Sequence, residues 1–183
     1  MITFSRTLVP AVAAVLLLGL AVAPASAERA TYRDPADLGG ASLNDVRRVA
    51  VTHTTERVRV KVKVIDLRRR SEAGPAGLTI RIDTRAARPG PEFRLGTGLY
   101  DGTDYQLMRI RNGRPVGQPV SCAHSVDLDF ARDVVRLRAA DGCLGDPDRI
   151  RIGVKMTDLH DGSHAVTDWL GEPRSWTRWL SAG

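Results

Sequence analysis

The chain has 183 residues, 27 lysines and arginines against 21 acids, and a formal net charge of +6. Only three of the basic residues are lysine (Lys61, Lys63, Lys155), and an arginine- and alanine-rich composition of this kind follows from a GC-rich genome by itself, so the charge nominates no nucleic-acid partner. The length suits one domain with one sizeable core, and the lack of a second long apolar run excludes a membrane span beyond the amino terminus.

The first residues read as a secretory signal. Arg6 precedes an apolar run from Leu8 to Val22, and Ala25-Ser26-Ala27 forms a small-residue cleavage site. Residues 1–27 are therefore expected to be removed, leaving 28–183 as a single secreted domain. Glu28 to Leu43, with Asp34-Pro35 and Gly39-Gly40, reads as an extended lead-in. A first strand is expected over Val46 to His53. After a turn at Thr54-Thr55 comes a second, Arg57 to Ile65, in which Val58, Val60, Val62 and Val64 alternate with Arg57, Arg59, Lys61 and Lys63. A tight turn there pairs Val51 with Val58 and Val49 with Val60.

Arg68 to Gly77 is a charged loop, Leu78 to Asp83 another alternating strand, and Glu92 to Leu95 a short one. Tyr105 to Arg111 is closed by Asn112-Gly113, the strongest two-residue hairpin signal in the chain. Its partner near Val116 to Val120, with Pro115 just before it and Pro119 within it, belongs at an edge or is irregular.

Cys122 to Cys143 folds into a hairpin about Arg132-Asp133. That register opposes the two cysteines, joins Phe130 to Val135, Leu128 to Leu137 and Val126 to Ala139 on one face, and pairs Asp129 with Arg136 and Asp127 with Arg138 on the other. In an exported chain this predicts one disulfide, worth about 3 kcal/mol by chain entropy. Arg149 to Met156 alternates again, Asp158 to His164 is a polar loop, and Ala165 to Leu170 and Ser175 to Leu180 complete the strands. Eight to ten strands and no amphipathic helix predict an all-β fold, an antiparallel β-sandwich of jelly-roll type held by Cys122–Cys143.

Four sets of residues are candidates for function. Arg57, Arg59, Lys61 and Lys63 form one basic strand face, Arg149, Arg151 and Lys155 another, and Arg81 adds to a third; neighbouring strands would make a cationic surface for an anionic envelope polymer. Trp169, Trp176 and Trp179, with Tyr100 and Tyr105, offer flat rings on which sugars stack, although Trp176 and Trp179 point to opposite faces if Ser175 to Leu180 is a strand. Asp34 and Asp37 with Asn44 and Asp45, or Asp158 and Asp161 with Asp168 nearby, are oxygen sets suited to structural calcium, and no other cofactor is expected. His160 and His164 fall short of a zinc site, and His124 is expected to pair with Asp141. No nucleophile elbow, zinc-protease motif or phosphate loop occurs; a pair such as Glu92 with Asp101 could serve as a hydrolase dyad, but any chain with 21 acids offers such pairs. The chain reads as a non-enzyme.

The runs N-D-V-R-R-V-A-V-T-H (44–53), R-V-R-V-K-V (57–62), I-D-T (82–84), P-E-F-R-L-G-T-G (91–98) and V-T-D-W (166–169) are similar to small exported proteins of uncharacterised function from GC-rich bacteria. The order of acidic lead-in, first hairpin and I-D-T strand also resembles the DOMON and family-9 carbohydrate-binding sandwiches. That resemblance implies sugar binding or, in some members, haem, and transfers no residue. The expected function is a secreted binding module for glycan or another cell-envelope polymer. The alternatives are a protein-interaction domain working through its basic faces and, last, a small hydrolase.

Overall fold

The computed structural model describes residues 27–71, 74–88, 90–159 and 164–183. The expected signal segment, apart from Ala27, lies outside them, as do His160 and Asp161. The chain is an antiparallel β-sandwich. Its strands are β1 (Glu28–Arg33), β2 (Val46–His53), β3 (Arg57–Val64), β4 (Ala76–Asp83), β5 (Phe93–Gly98), β6 (Tyr105–Arg111), β7 (Arg114–Val116), β8 (His124–Asp129), β9 (Val134–Ala140), β10 (Arg149–Asp158), β11 (Val166–Trp169) and β12 (Leu180–Ser181). A single 3-10 turn, Asp141–Leu144, follows β9. One sheet has the order β1-β2-β3-β9-β8, the other β11-β10-β4-β5-β6-β7, with β12 beside β10. Among the described residues no helix is long and apolar enough to cross a membrane.

Alternation builds the core. Val58, Val60, Val62 and Val64 of β3 are all fully buried against Ile80, Ile82, Ile152 and Val154 of the facing sheet, each burial contributing about 1.5–3 kcal/mol. Among the described residues there are twelve strands rather than the expected eight to ten, and Glu28–Arg33 is an edge strand rather than an extended lead-in. In β1, Ala30 and Tyr32 pack on the core while Arg29, Thr31 and Arg33 face water.

Both hairpin registers differ from the expected ones by two residues. Val51 lies opposite Val60 and Val49 opposite Val62, because the turn falls at Thr55-Glu56, where Thr54 Oγ1 accepts the amides of Glu56 (3.2 Å) and Arg57 (3.1 Å). In the second hairpin Val126 opposes Leu137, Leu128 opposes Val135, and Asp127 opposes Arg136. A two-residue turn at Arg132-Asp133 would need positive φ at Arg132 in either favoured type; a longer loop leaves only Asp133 there, at φ 52°, and lets the Arg132 amide bond to Asp129 O at 3.2 Å. A shift of two keeps every side chain on its face. The Cys122–Cys143 disulfide forms all the same, with Cα atoms 5.7 Å apart, because Cys143 swings out of β9 into the 3-10 turn. The Asn112-Gly113 turn is as expected, with φ of 51° and 74° between paired Arg111 and Arg114, and β7 with Pro115 is an edge.

Candidate functional site

Register decides what each basic residue meets. β3 and β10 lie in different sheets, so the basic faces expected to merge are two separate surfaces. On the five-stranded sheet, Arg59 has Arg138 as its Cα partner, Lys61 has Arg136, and Arg33, Arg48 and Lys63 form one row across three strands. Arg29 and Arg57 extend the same outward face. Its acids sit on the β8 edge, where Asp127 and Asp129 both hold Arg136, while Asp133 at the hairpin tip takes Lys63 at 2.8 Å and Glu56 takes Arg57 at 2.7 Å. The side chains of Arg29, Arg33, Arg48, Arg59, Lys61 and Arg138 have no ion-pair or hydrogen-bond partner among the described residues. Like charges placed directly opposite repel; such pairs recur in three consecutive rows, although Arg136 and Lys63 are offset by acids of their own.

Shallow depressions open on this surface. One, ≈ 280 Å³, has Thr31, Ala50 and Val134 as its small floor and Arg29, Arg48, Lys61 and Lys63 around it. Another, ≈ 420 Å³, lies at the β8–β9 end and is lined by Arg57 with its partner Glu56, Arg138, His124 and Ala140. Along β3 the outward cations recur about every 6.7 Å, and neighbouring strands stand about 4.8 Å apart, a grid fine enough to meet consecutive charges of an extended polyanion.

The outer face of the second sheet is different. Arg81 of β4 lies over Trp169 (4.7 Å) and Trp176 (4.5 Å), Arg151 of β10 over Trp176 (4.9 Å) and Trp179 (4.8 Å), and Arg149 over Trp179 (5.1 Å). Lys155 lies 5.6 Å from Trp169. The result is an alternating ladder of seven side chains. Gly153, the Cα partner of Arg81, makes room for it, since a Cβ there would stand 2.4 Å from Arg81 Nη2. Arg81 also donates to Ser175 O at 2.9 Å. Burial, with the charge of Arg174 beside it, holds its pKa below the usual arginine range. Arg151 pairs as well with fully buried Asp83.

The segment before β12 is not a strand, so Trp176 and Trp179 share one face rather than dividing between two. Each indole is engaged by two cations of its own chain. Tyr100 and Tyr105 do not join them, because β4 and β5 separate β6 from β10. Tyr100 is half-buried and donates to Gly74 O at 3.0 Å, whereas Tyr105 is exposed and meets His124 edge-on at 5.7 Å.

The two acidic loops converge instead of standing apart. Asp158 Oδ2 accepts from Ser42 Oγ (2.6 Å) and Asn44 Nδ2 (3.1 Å), and Asp168 Oδ2 accepts the Val46 amide at 2.7 Å. Asp37 is exposed, while Asp34, Asp45 and Asp168 are buried. Burial pushes the pKa of all three up, that of Asp168 to about 6.

Asp141 pairs with His53, not with His124. His53 is fully buried, with Nε2 3.0 Å from Asp141 Oδ1 and Nδ1 3.0 Å from Leu180 O; His124 Nδ1 lies 2.9 Å from Cys122 O. The signal for the true pair is the inward phase of β2, which continues from Val49 and Val51 to His53. With no exposed atom, this histidine serves as a clasp between β2, the 3-10 turn and β12, out of reach of any substrate. Glu92 and Asp101 sit beyond opposite ends of β5, Glu92 bonded to the Thr84 amide and Asp101 to Arg69. No protein-family model matches the chain, and no curated protein matches it either. The residues themselves carry the functional reading.

Proposed function

We propose that this chain is a non-catalytic binding module for an anionic cell-envelope polymer, held on the outward face of the five-stranded sheet. What supports the reading is the like-charge register: Arg59 against Arg138, Lys61 against Arg136, and Arg33–Arg48–Lys63 in a row. A bound polyanion relieves that repulsion, and the flat face lets several weak contacts add. Arginine supplies planar forks for phosphate or carboxylate groups. Stacking of sugars on the tryptophans is the weaker reading, since each indole already meets two cations.

The test is retention of the protein on immobilised polyphosphate and polygalacturonate, with cellulose and chitin as neutral controls. Retention on the anionic polymers alone is expected, weakening steeply between about 0.05 and 0.3 M NaCl as charges are screened. Arg59→Glu with Lys61→Glu should reduce it by roughly tenfold or more, at about 1.4 kcal/mol per factor of ten, while Trp179→Ala should leave it intact. Equal retention on cellulose, or retention indifferent to salt and to the charge reversals, would defeat the proposal.

A further inference from the structure

The outward face of the five-stranded sheet is not uniform. Its residues fall into rows across the strands. Arg29, Thr52, Arg59 and Arg138 make one row, Thr31, Ala50, Lys61 and Arg136 the next, and Arg33, Arg48, Lys63 and Val134 a third. Thr31 and Ala50, neighbours in the middle row, leave a gap among long cations, and the ≈ 280 Å³ notch lies over them.

Arg29, Arg48, Lys61 and Lys63 rim that notch. Same-face residues stand about 6.7 Å apart along a strand and neighbouring strands about 4.8 Å apart, so each of the four has its Cα within about 8 Å of that of Ala50. Extended arginine and lysine side chains cover that distance. Lys63 is committed elsewhere, its Nζ 2.8 Å from Asp133 Oδ2 and 2.9 Å from Arg132 O. Arg29, Arg48 and Lys61 have no ion-pair or hydrogen-bond partner among the described residues. No acid lines this notch, whereas Glu56 lines the depressions at the Arg57 end of β3.

Three uncommitted cations around one floor are more than a carboxylate can use. A carboxylate brings one charge and two oxygens in a plane, and a single arginine fork satisfies it. A phosphoryl group with three free oxygens carries close to two charges at neutral pH. Each cation then has an oxygen to hold, and the Thr31 hydroxyl can donate from the floor. Taking this face as the polymer-binding surface described above, we propose that the Thr31–Ala50 notch is the subsite that selects the polymer, by holding a terminal phosphoryl group between Arg29, Arg48 and Lys61. Arg59 and Arg138 meet the charges that follow along the chain. Asp133, beyond Lys63, turns an anion away from the opposite side. The partner is thereby a phosphate-terminated polymer rather than a polyuronate.

The test is calorimetry of the protein at about pH 7.5 in about 0.1 M NaCl, where distant charges are screened. Linear tripolyphosphate ends in groups of this kind, and cyclic trimetaphosphate and trigalacturonate have none. The linear ion should bind one per chain, at least about tenfold tighter than either of the others. Ala50→Leu fills the floor without altering charge, so it should weaken tripolyphosphate binding by roughly tenfold and the other two by less than about twofold. Its retention on immobilised polygalacturonate should match the wild type, which shows the sheet intact. Arg48→Gln is the second variant, and it should cost tripolyphosphate more than the other two. Tripolyphosphate bound no more tightly than trimetaphosphate, or equally by the wild type and both variants, would overturn the notch and leave the charged face in place. Failure of the wild type to bind any of these anions would defeat both.

Discussion

The outward faces of the two sheets are built from the same residue type and use it in opposite ways. On the second sheet every ladder cation has an aromatic partner, and Arg151 has Asp83 besides. On the five-stranded sheet six cations have no side-chain partner among the described residues, and several have another cation opposite. Arginine stacks on indoles because its guanidinium is flat and weakly hydrated. That surface is closed on itself and stabilises the fold. The other keeps its charges available, at a cost in repulsion. Counting arginines on alternating strands does not distinguish the two; the neighbouring strand does.

The sharpest way to break the contrast is Arg81→Ala. It removes the centre of the ladder, two cation–π contacts and the bond to Ser175 O, so a loss of about 2–4 kcal/mol is expected in urea unfolding. Gly153→Ala should cost about 1–2 kcal/mol, because the new Cβ displaces the Arg81 guanidinium from between its two rings. The two changes share one contact, so in combination they should cost less than their sum. Additive costs would show that the glycine acts by another route.

Arg59→Thr on the other sheet is expected to change stability by no more than about 0.5 kcal/mol, and toward stabilisation, since it relieves the repulsion with Arg138. A loss as large as that of Arg81→Ala would erase the distinction between the faces. The smallest effect concerns Asp129, whose pKa the Arg136 and Arg132 side chains hold down to about 2. A depressed carboxyl stabilises the native state above its unfolded pKa and loses that contribution as pH falls toward the folded value. Between about pH 4 and 2, hydrogen exchange at the β8–β9 tip should therefore quicken, while amides under the indole ladder stay protected.

Much of this architecture was legible in the chain itself. R-V-R-V-K-V-K-V fixes which side of β3 is buried, Asn112-Gly113 fixes a turn, and Cys122 and Cys143 are joined. Both hairpin registers escaped by two residues because period-two texture cannot tell a register from its neighbour two steps away; turn chemistry at Thr54 and Asp133 decides it. β1 was hidden by its polar outward residues. The ladder had one local signal, Gly153 inside an alternating strand, which marks a close approach, but its partners come from β4, β11 and the irregular run before β12. Asp34, Asp37, Asp45 and Asp168 were visible as acids. Only the pairing of β1 with β2 and of β10 with β11 brings their two loops to one end.

The Cys122–Cys143 bridge ties the approach to β8 onto the turn after β9. β8 is the outermost strand of its sheet, and its inward Val126 and Leu128 are only half-buried, so packing alone grips it weakly. Reduction would let it peel away and bare the backbone donors and acceptors of β9, a template on which a second copy can add its own strand. Production in a reducing cytosol should therefore yield aggregates, whereas an oxidising compartment should yield dispersed monodomain material from the same gene.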